Sequence, residues 1–170
     1  MRLGGALSGS EIRKLILEHG LVKEYVNLDV QLTSNGFDLS LREVHSFNGP
    51  GRVDFSNVNR IIPDTVKLEP KGGAYFLKPG MYKVVFNEVL NLPNDVIALG
   101  FPRSSFLRCG ATVCCAVFDA GYHGRSESLM IIGNPHGFFL EKNARIVQLA
   151  FFRLEEPSEG YRGQYLGENL

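Results

Sequence analysis

Apolar residues recur with a helical period only near the start of the chain, where Ile12, Leu15 and Ile16 share one face of Glu-Ile-Arg-Lys-Leu-Ile-Leu-Glu-His. Ser8 or Ser10 stands in front as a side-chain cap and Gly20 behind as a left-handed stop, so the spacing predicts one capped amphipathic helix. Beyond it the pattern breaks into short runs rich in Val, Ile, Phe and Tyr: Tyr75 to Leu77, Met81 to Phe86, Val96 to Phe101, Ala111 to Phe118, Leu129 to Ile132 and Arg145 to Phe152. Gly, Pro, Asn and Asp separate them, as turns separate strands. Many short strands in one chain imply a mainly β fold, a sandwich or a jelly-roll-like barrel with one N-terminal helix. From Pro157 to Gly167 the chain has three glycines and almost no core-forming residues. Residues 1–156 are therefore expected to form a single domain, and 157–170 a flexible tail.

Composition narrows the function. At 170 residues one domain buries a core without help from disulfides or metal. Lys plus Arg and Asp plus Glu balance at 18 each, so no bulk positive field exists to hold nucleic acid. No apolar run approaches the length needed to cross a bilayer, and no signal-peptide pattern precedes the helix; a soluble, cytoplasmic protein is the expectation. Cys109, Cys114 and Cys115 form no Cys-X-X-Cys pair, and the His-X-Glu and Pro-Cys-X-X-Cys of a zinc deaminase are missing.

The candidate chemistry lies between Pro102 and Tyr122. Arg103 and Arg108 offer forked cationic donors and Ser104 and Ser105 offer hydroxyl and backbone donors, the mixture a phosphate chain requires. Phe118-Asp119-Ala120-Gly121-Tyr122 adds one isolated acid, in a stretch that also reads as an ordinary turn. A second acid lies in Asn35-Gly36-Phe37-Asp38-Leu39, an Arg-X-X-Gln stretch runs from Arg145 to Gln148, and the tail carries Tyr161-Arg162-Gly163-Gln164-Tyr165.

In that order the five pieces resemble the five motifs of the trimeric dUTPase family, and the N-terminal half is similar to the branch shared with dCTP deaminases. The resemblance covers nearly the whole chain, and motifs two, three and four are specific in combination. It implies a distorted jelly-roll barrel and hydrolysis of dUTP to dUMP and pyrophosphate by water attacking the α-phosphorus. Asp119 matches the general base, and Asp38 the acid that holds Mg²⁺ through bound water. Arg103, Ser104, Ser105 and Arg108 match the phosphate-binding stretch, with Ser104 near the oxygen bridging the α and β groups. Gln148 and Arg162 match further phosphate contacts, and Tyr122 the ring that refuses a 2′-hydroxyl. Tyr161 or Tyr165 would stack on the base as the tail closes. Arg145 carries over less directly, since its alternation with Val147 and Leu149 also suits a surface position. Ser40 stands where many members carry Arg, which removes one structural ion pair. The resemblance further implies a homotrimer with sites where subunits meet.

The alternatives are a dCTP deaminase or bifunctional enzyme, and a binding module without catalysis. In the deaminases a Glu lies ten residues beyond the motif-three Asp, where this chain has Leu129, and leucine relays no proton. Glu127, two residues earlier on the same strand face, is displaced by roughly 6–7 Å along the strand. It reads as an exposed acid pairing with Arg125 or with a neighbouring subunit. A pure sensor has no need of both Asp38 and Asp119.

Overall fold

The computed structural model describes residues 5–170. Its N-terminal helix, α1 (Gly9–His19), follows β1 (Gly5–Ala6), and its cap is Ser8: the Glu11 amide donates to Ser8 Oγ at 3.4 Å while the Ser8 amide donates to Glu11 Oε2 at 3.1 Å. Gly20 closes the helix at φ 64°, and Ile12 and Ile16 face the core. Burying two such side chains stabilises the fold by about 1.5–3 kcal/mol each.

The remaining strands are β2 (Val22–Lys23), β3 (Leu32–Thr33), β4 (Gly36–Asn48), β5 (Asp64–Lys67), β6 (Ala74–Leu77), β7 (Gly80–Phe86) and β8 (Val89–Asn91). They continue as β9 (Val96–Pro102), β10 (Ala111–Cys114), β11 (His123–Gly124), β12 (Glu127–Ile132), β13 (Phe138–Glu141) and β14 (Arg145–Arg153). Two short helices, α2 (Leu28–Gln31) and α3 (Ser104–Arg108), join them. Neither has the apolar periodicity that marked α1, because four or five residues are too few to show one.

All pairings are antiparallel, and one nine-stranded sheet runs β1-β14-β4-β7-β12-β10, with β3 and β5 added to β4 and β9 added to β14. Smaller sheets β11-β8-β2 and β13-β6 complete a curled, jelly-roll-like arrangement around one core. The longest strand, β4, supplies Phe37, Leu39 and Leu41 to that core, against Val84 and Phe86 of β7 and Leu149 and Phe151 of β14. The fold is thus mainly β, as the short apolar runs imply.

Two expectations about strands change. The run expected from Ala111 to Phe118 leaves the sheet at Cys114, and Phe118 instead bridges Ala98 of β9. Arg145 is no surface residue of a regular strand. A bulge between Arg145 and Val147 breaks the alternation, so that Ile146, Val147 and Leu149 are all buried while Arg145 turns to β4.

Between β4 and β5, residues 49–63 form an arm closed by an Arg52–Ile61 bridge. Val53, Phe55 and Val58 are exposed along it, Phe55 completely. Among the described residues no helix is long and apolar enough to cross a membrane.

Candidate active site

The site residues fall into two groups. In the first, Asp38 of β4 lies opposite Gln148 of β14, and its side chain, 2% exposed, sits between two arginines. Arg103 Nε is 2.9 Å from Asp38 Oδ2 and Arg145 Nη1 is 3.2 Å from the same oxygen. Arg103 occupies the N-cap position of α3 without a side-chain capping bond, its own amide donating to the Ile146 carbonyl at 3.1 Å, and Arg145 also reaches the Val30 carbonyl at 2.6 Å. Burial raises the Asp38 carboxyl above the usual carboxylate range, and the two guanidiniums oppose that shift. Ser104, Ser105 and Arg108 lie exposed along α3. Gln148 Nε2 donates to Thr33 Oγ1 at 2.6 Å.

Behind this group is a buried acid that no motif marks. Glu88 accepts from Ser40 N–H at 2.9 Å, from Ser40 Oγ–H at 2.6 Å and from Gln31 Nε2 at 2.6 Å. Gln31 in turn donates to the Asp38 carbonyl at 2.8 Å, which ties the Glu88 network to the backbone of Asp38. Ser40 therefore has its own acceptor, and Asp38 has two cationic partners.

The second group surrounds a cavity of about 440 Å³ lined by Phe118, Asp119, Tyr122, Ser126, Glu127, Tyr161, Tyr165 and Glu168, with Ile62 of the arm. Asp119 and Tyr122 are the ends of one β-turn: the Tyr122 amide donates to the Asp119 carbonyl at 3.1 Å, and Gly121 takes φ 80° at the third position. The turn leaves Asp119 exposed at the cavity and Tyr122 buried beneath it. The Tyr122 ring meets Tyr161 edge-on, centroids 5.8 Å apart, and its hydroxyl donates to Glu168 Oε1 at 2.6 Å. Burial and that neighbouring carboxylate push the phenol far above its ordinary range.

Tyr161, Tyr165 and Glu168 reach the cavity because the tail crosses the motif-three turn. Tyr161 N–H donates to the Ala120 carbonyl at 2.8 Å, Gly167 N–H to His123 at 2.7 Å, and Arg125 N–H to Glu168 at 2.9 Å. A Cβ on Gly121 would lie 2.7 Å from Gly160 Cα and 2.8 Å from the Tyr161 nitrogen, so glycine serves both the turn and the crossing. Arg162 is outside the cavity, exposed and 3.4 Å from Glu159.

Glu127 does not pair with Arg125. Lys83 of β7 holds it at 2.9 Å, whereas Arg125, 5% exposed, is drawn to Glu24 at 2.5 Å and to the Asn87 carbonyl. Glu127 and Leu129 lie on one regular stretch of β12 paired to β7, and only Glu127 reaches the cavity.

The cavity brings Asp119, Tyr122, Tyr161 and Tyr165 together but includes none of Asp38, Arg103, Ser104, Ser105, Arg108, Gln148 or Arg162. It contains three carboxylates and, among the described residues that line it, no Lys or Arg. Such a cavity suits an uncharged sugar and base, while the cations needed for phosphates stand in the other group. Sequence reasoning missed Glu168, Ile62 and Lys83, none of which belongs to a motif with recognisable spacing.

Fold and site together define a mainly β protein with a cavity beside an exposed carboxylate and a separate group of arginines, serines and a glutamine. The chain belongs to the dCTP deaminase-like family, whose model matches residues 6–154. It is 49% identical over 164 residues to a protein of Archaeoglobus fulgidus named "Probable deoxyuridine 5'-triphosphate nucleotidohydrolase", covering 96% of this chain and 97% of that one. A protein of the same name from Methanosarcina mazei is 49% identical over 96% of this chain and 97% of its own. The deoxyuridine 5'-triphosphate nucleotidohydrolase of Methanocaldococcus jannaschii is 36% identical over 81% of this chain and 88% of its own. Among solved structures, the 2'-deoxycytidine 5'-triphosphate deaminase of Agrobacterium tumefaciens shares the fold with a TM-score of 0.68 at 24% identity. That match covers 89% of this chain but 49% of the deaminase, so this chain spans about half its length.

Proposed function

We propose that this protein is a dUTP diphosphatase, hydrolysing dUTP to dUMP and pyrophosphate. The observation that carries the reading is Asp119: an exposed carboxylate in the same turn as the buried Tyr122, at the rim of a cavity sized for a nucleoside. Water is a poor nucleophile until a base within hydrogen-bond reach takes its proton. Asp119 takes that proton as the water oxygen bonds to the α-phosphorus. The bond from that phosphorus to the bridging oxygen breaks, and pyrophosphate departs with the electron pair. Arg103 and Ser104 are suited to the charge that gathers on that oxygen. Tyr122 packs against the deoxyribose where a 2′-hydroxyl would stand, and Tyr161 or Tyr165 covers the base.

A triphosphate needs the cations of the first group and the cavity of the second, and within one chain these are separate. This supports a homotrimer in which each cavity is completed by a neighbour's Arg103, Ser104 and Gln148. The apolar arm offers contact surface beside the cavity, through Ile62.

The described residues of a single chain are poorly suited to a resident metal. No cluster of three or more potential ligands is found among the described residues; Asp38 Oδ1 is buried without a hydrogen-bond partner, but the two guanidiniums on Oδ2 oppose a further cation beside it. We therefore assign Mg²⁺ to the substrate, carried on the triphosphate. The cysteines are free and two of them exposed, which suits a reducing cytoplasm.

The relatives that carry the dUTP name cover nearly the whole chain, and deamination is not favoured, since the position ten residues after Asp119 is Leu129. The test is product analysis of the purified protein with Mg²⁺ and dUTP, dCTP, dTTP or UTP in separate reactions. dUMP and pyrophosphate from dUTP alone are expected. dUTP or dUMP formed from dCTP would overturn the assignment and give Glu127 a role in deamination.

A further inference from the structure

The motifs of the sequence end at Tyr165, yet the tail's side-chain hydrogen bond to Tyr122 at the cavity comes three residues later. Glu168 Oε1 accepts the Tyr122 hydroxyl proton at 2.6 Å, a separation typical of a short bond to a charged acceptor. The site is shaped around that contact. A Cβ on Gly124 would stand 2.9 Å from the Tyr122 hydroxyl oxygen and 3.3 Å from Glu168 Cγ, so any larger residue there would intrude on the pair. The backbone on either side of Glu168 is fixed independently of its carboxylate. Gly167 N–H donates to His123 at 2.7 Å, Arg125 N–H to the Glu168 carbonyl at 2.9 Å, and Asn169 Nδ2 to the Arg125 carbonyl at 3.1 Å.

Phe118 and Tyr161 flank the Tyr122 ring at centroid distances of 6.1 Å and 5.8 Å, contacts to its faces and edge that bury it. The bond from the far end of the ring to a carboxylate adds a directional anchor that ring packing does not supply. Rejection of one extra hydroxyl demands such a wall, because a yielding apolar pocket excludes a slightly larger substrate poorly.

We infer that Glu168 is a positioning residue for substrate choice: its carboxylate holds the Tyr122 ring in the orientation that admits deoxyribose and refuses ribose. The inference rests on the dUTP diphosphatase reading and extends it. Glu168 touches no reacting atom. It acts through Tyr122, and it makes sugar selection depend on the tail being docked.

The experiment compares kcat/KM for dUTP and for UTP in the full-length wild type, Glu168→Ala, Glu168→Gln, Tyr122→Phe and the Tyr122→Phe/Glu168→Ala double variant. Glu168→Ala lowers the dUTP-to-UTP ratio by roughly tenfold, the worth of one hydrogen bond to a charged group. Glu168→Gln restores most of the ratio, since its amide oxygen still accepts the phenolic proton. Tyr122→Phe matches Glu168→Ala, and the double variant falls no further than either single one, because both remove the same bond. A wild-type ratio in Glu168→Ala, or multiplied losses in the double variant, overturns the inference while the diphosphatase reading stands. A wild type that leaves dUTP intact overturns that reading and this inference with it.

Discussion

At the residue scale, Asp119 shows how one stretch of sequence carries two functions. Its carbonyl closes the turn to Tyr122 while its carboxylate stays exposed at the cavity. Asp119→Asn keeps the turn, because the carbonyl is unchanged, and removes the base. Turnover of dUTP is expected to fall on the order of 10²–10⁴-fold with nucleotide affinity retained, as steady-state kinetics and calorimetric titration will show. Asp119, Tyr122, Arg103 and Gln148 were legible because acid, aromatic and cation stand at motif spacing. Glu168 was not, since 46 residues separate it from its partner. Nor was the pairing of Arg145, which depends on a bulge that alternation does not announce. Glu88 yields a prediction about pH. Burial holds its folded carboxyl above the ordinary value of 4.5, so the folded chain binds this proton more tightly than the unfolded chain does. Its contribution to stability is complete below 4.5 and declines as pH rises through the raised value. Urea midpoints across that window will fall in the wild type, and Glu88→Gln will remove this part of the slope.

At the element scale, what could be read in advance is what local pattern determines. The helix was legible because its cap, apolar face and glycine stop all lie within Ser8 to Gly20. Ser8→Ala removes the acceptor for the Glu11 amide and is expected to cost about 1 kcal/mol in chemical denaturation, without altering the strands. The strands appeared as apolar runs, but β4 escaped as an element even though Asp38 within it was singled out. Its polar positions Asp38 and Ser40 are as buried as Phe37 and Leu39: two arginines pair with Asp38 Oδ2 and Glu88 accepts from Ser40, while Asp38 Oδ1 has no hydrogen-bond partner among the described residues. Burial of that kind is set by residues far away in sequence and leaves no local period. The tail reads as glycine-rich and featureless, yet it lies across the turn from Asp119 to Tyr122 through backbone hydrogen bonds that composition cannot reveal.

At the scale of the whole molecule, charge separates the two groups. Arginines gather around Asp38, and the cavity is lined by Asp119, Glu127 and Glu168. If each working site takes its cations from one chain and its base from another, two crippled chains will repair one another. Arg103→Ala and Asp119→Asn proteins, each nearly inactive alone, are expected to recover activity when mixed, unfolded and refolded together. Sites confined to one chain would give no recovery.

Among the described residues no lysine or arginine lines the cavity, and if a neighbouring chain supplies the cations this governs how the protein behaves when it is scarce. A lone chain lines this cavity with three carboxylates, of which Lys83 offsets only Glu127, and so offers a tetra-anion little attraction there. Far below the dissociation constant of a three-chain assembly, the population of complete sites follows the cube of chain concentration. If a complete site needs that assembly, activity per chain then falls with the square of dilution, and a dilution series would report a dead enzyme at its dilute end where the concentrated end reports a working catalyst.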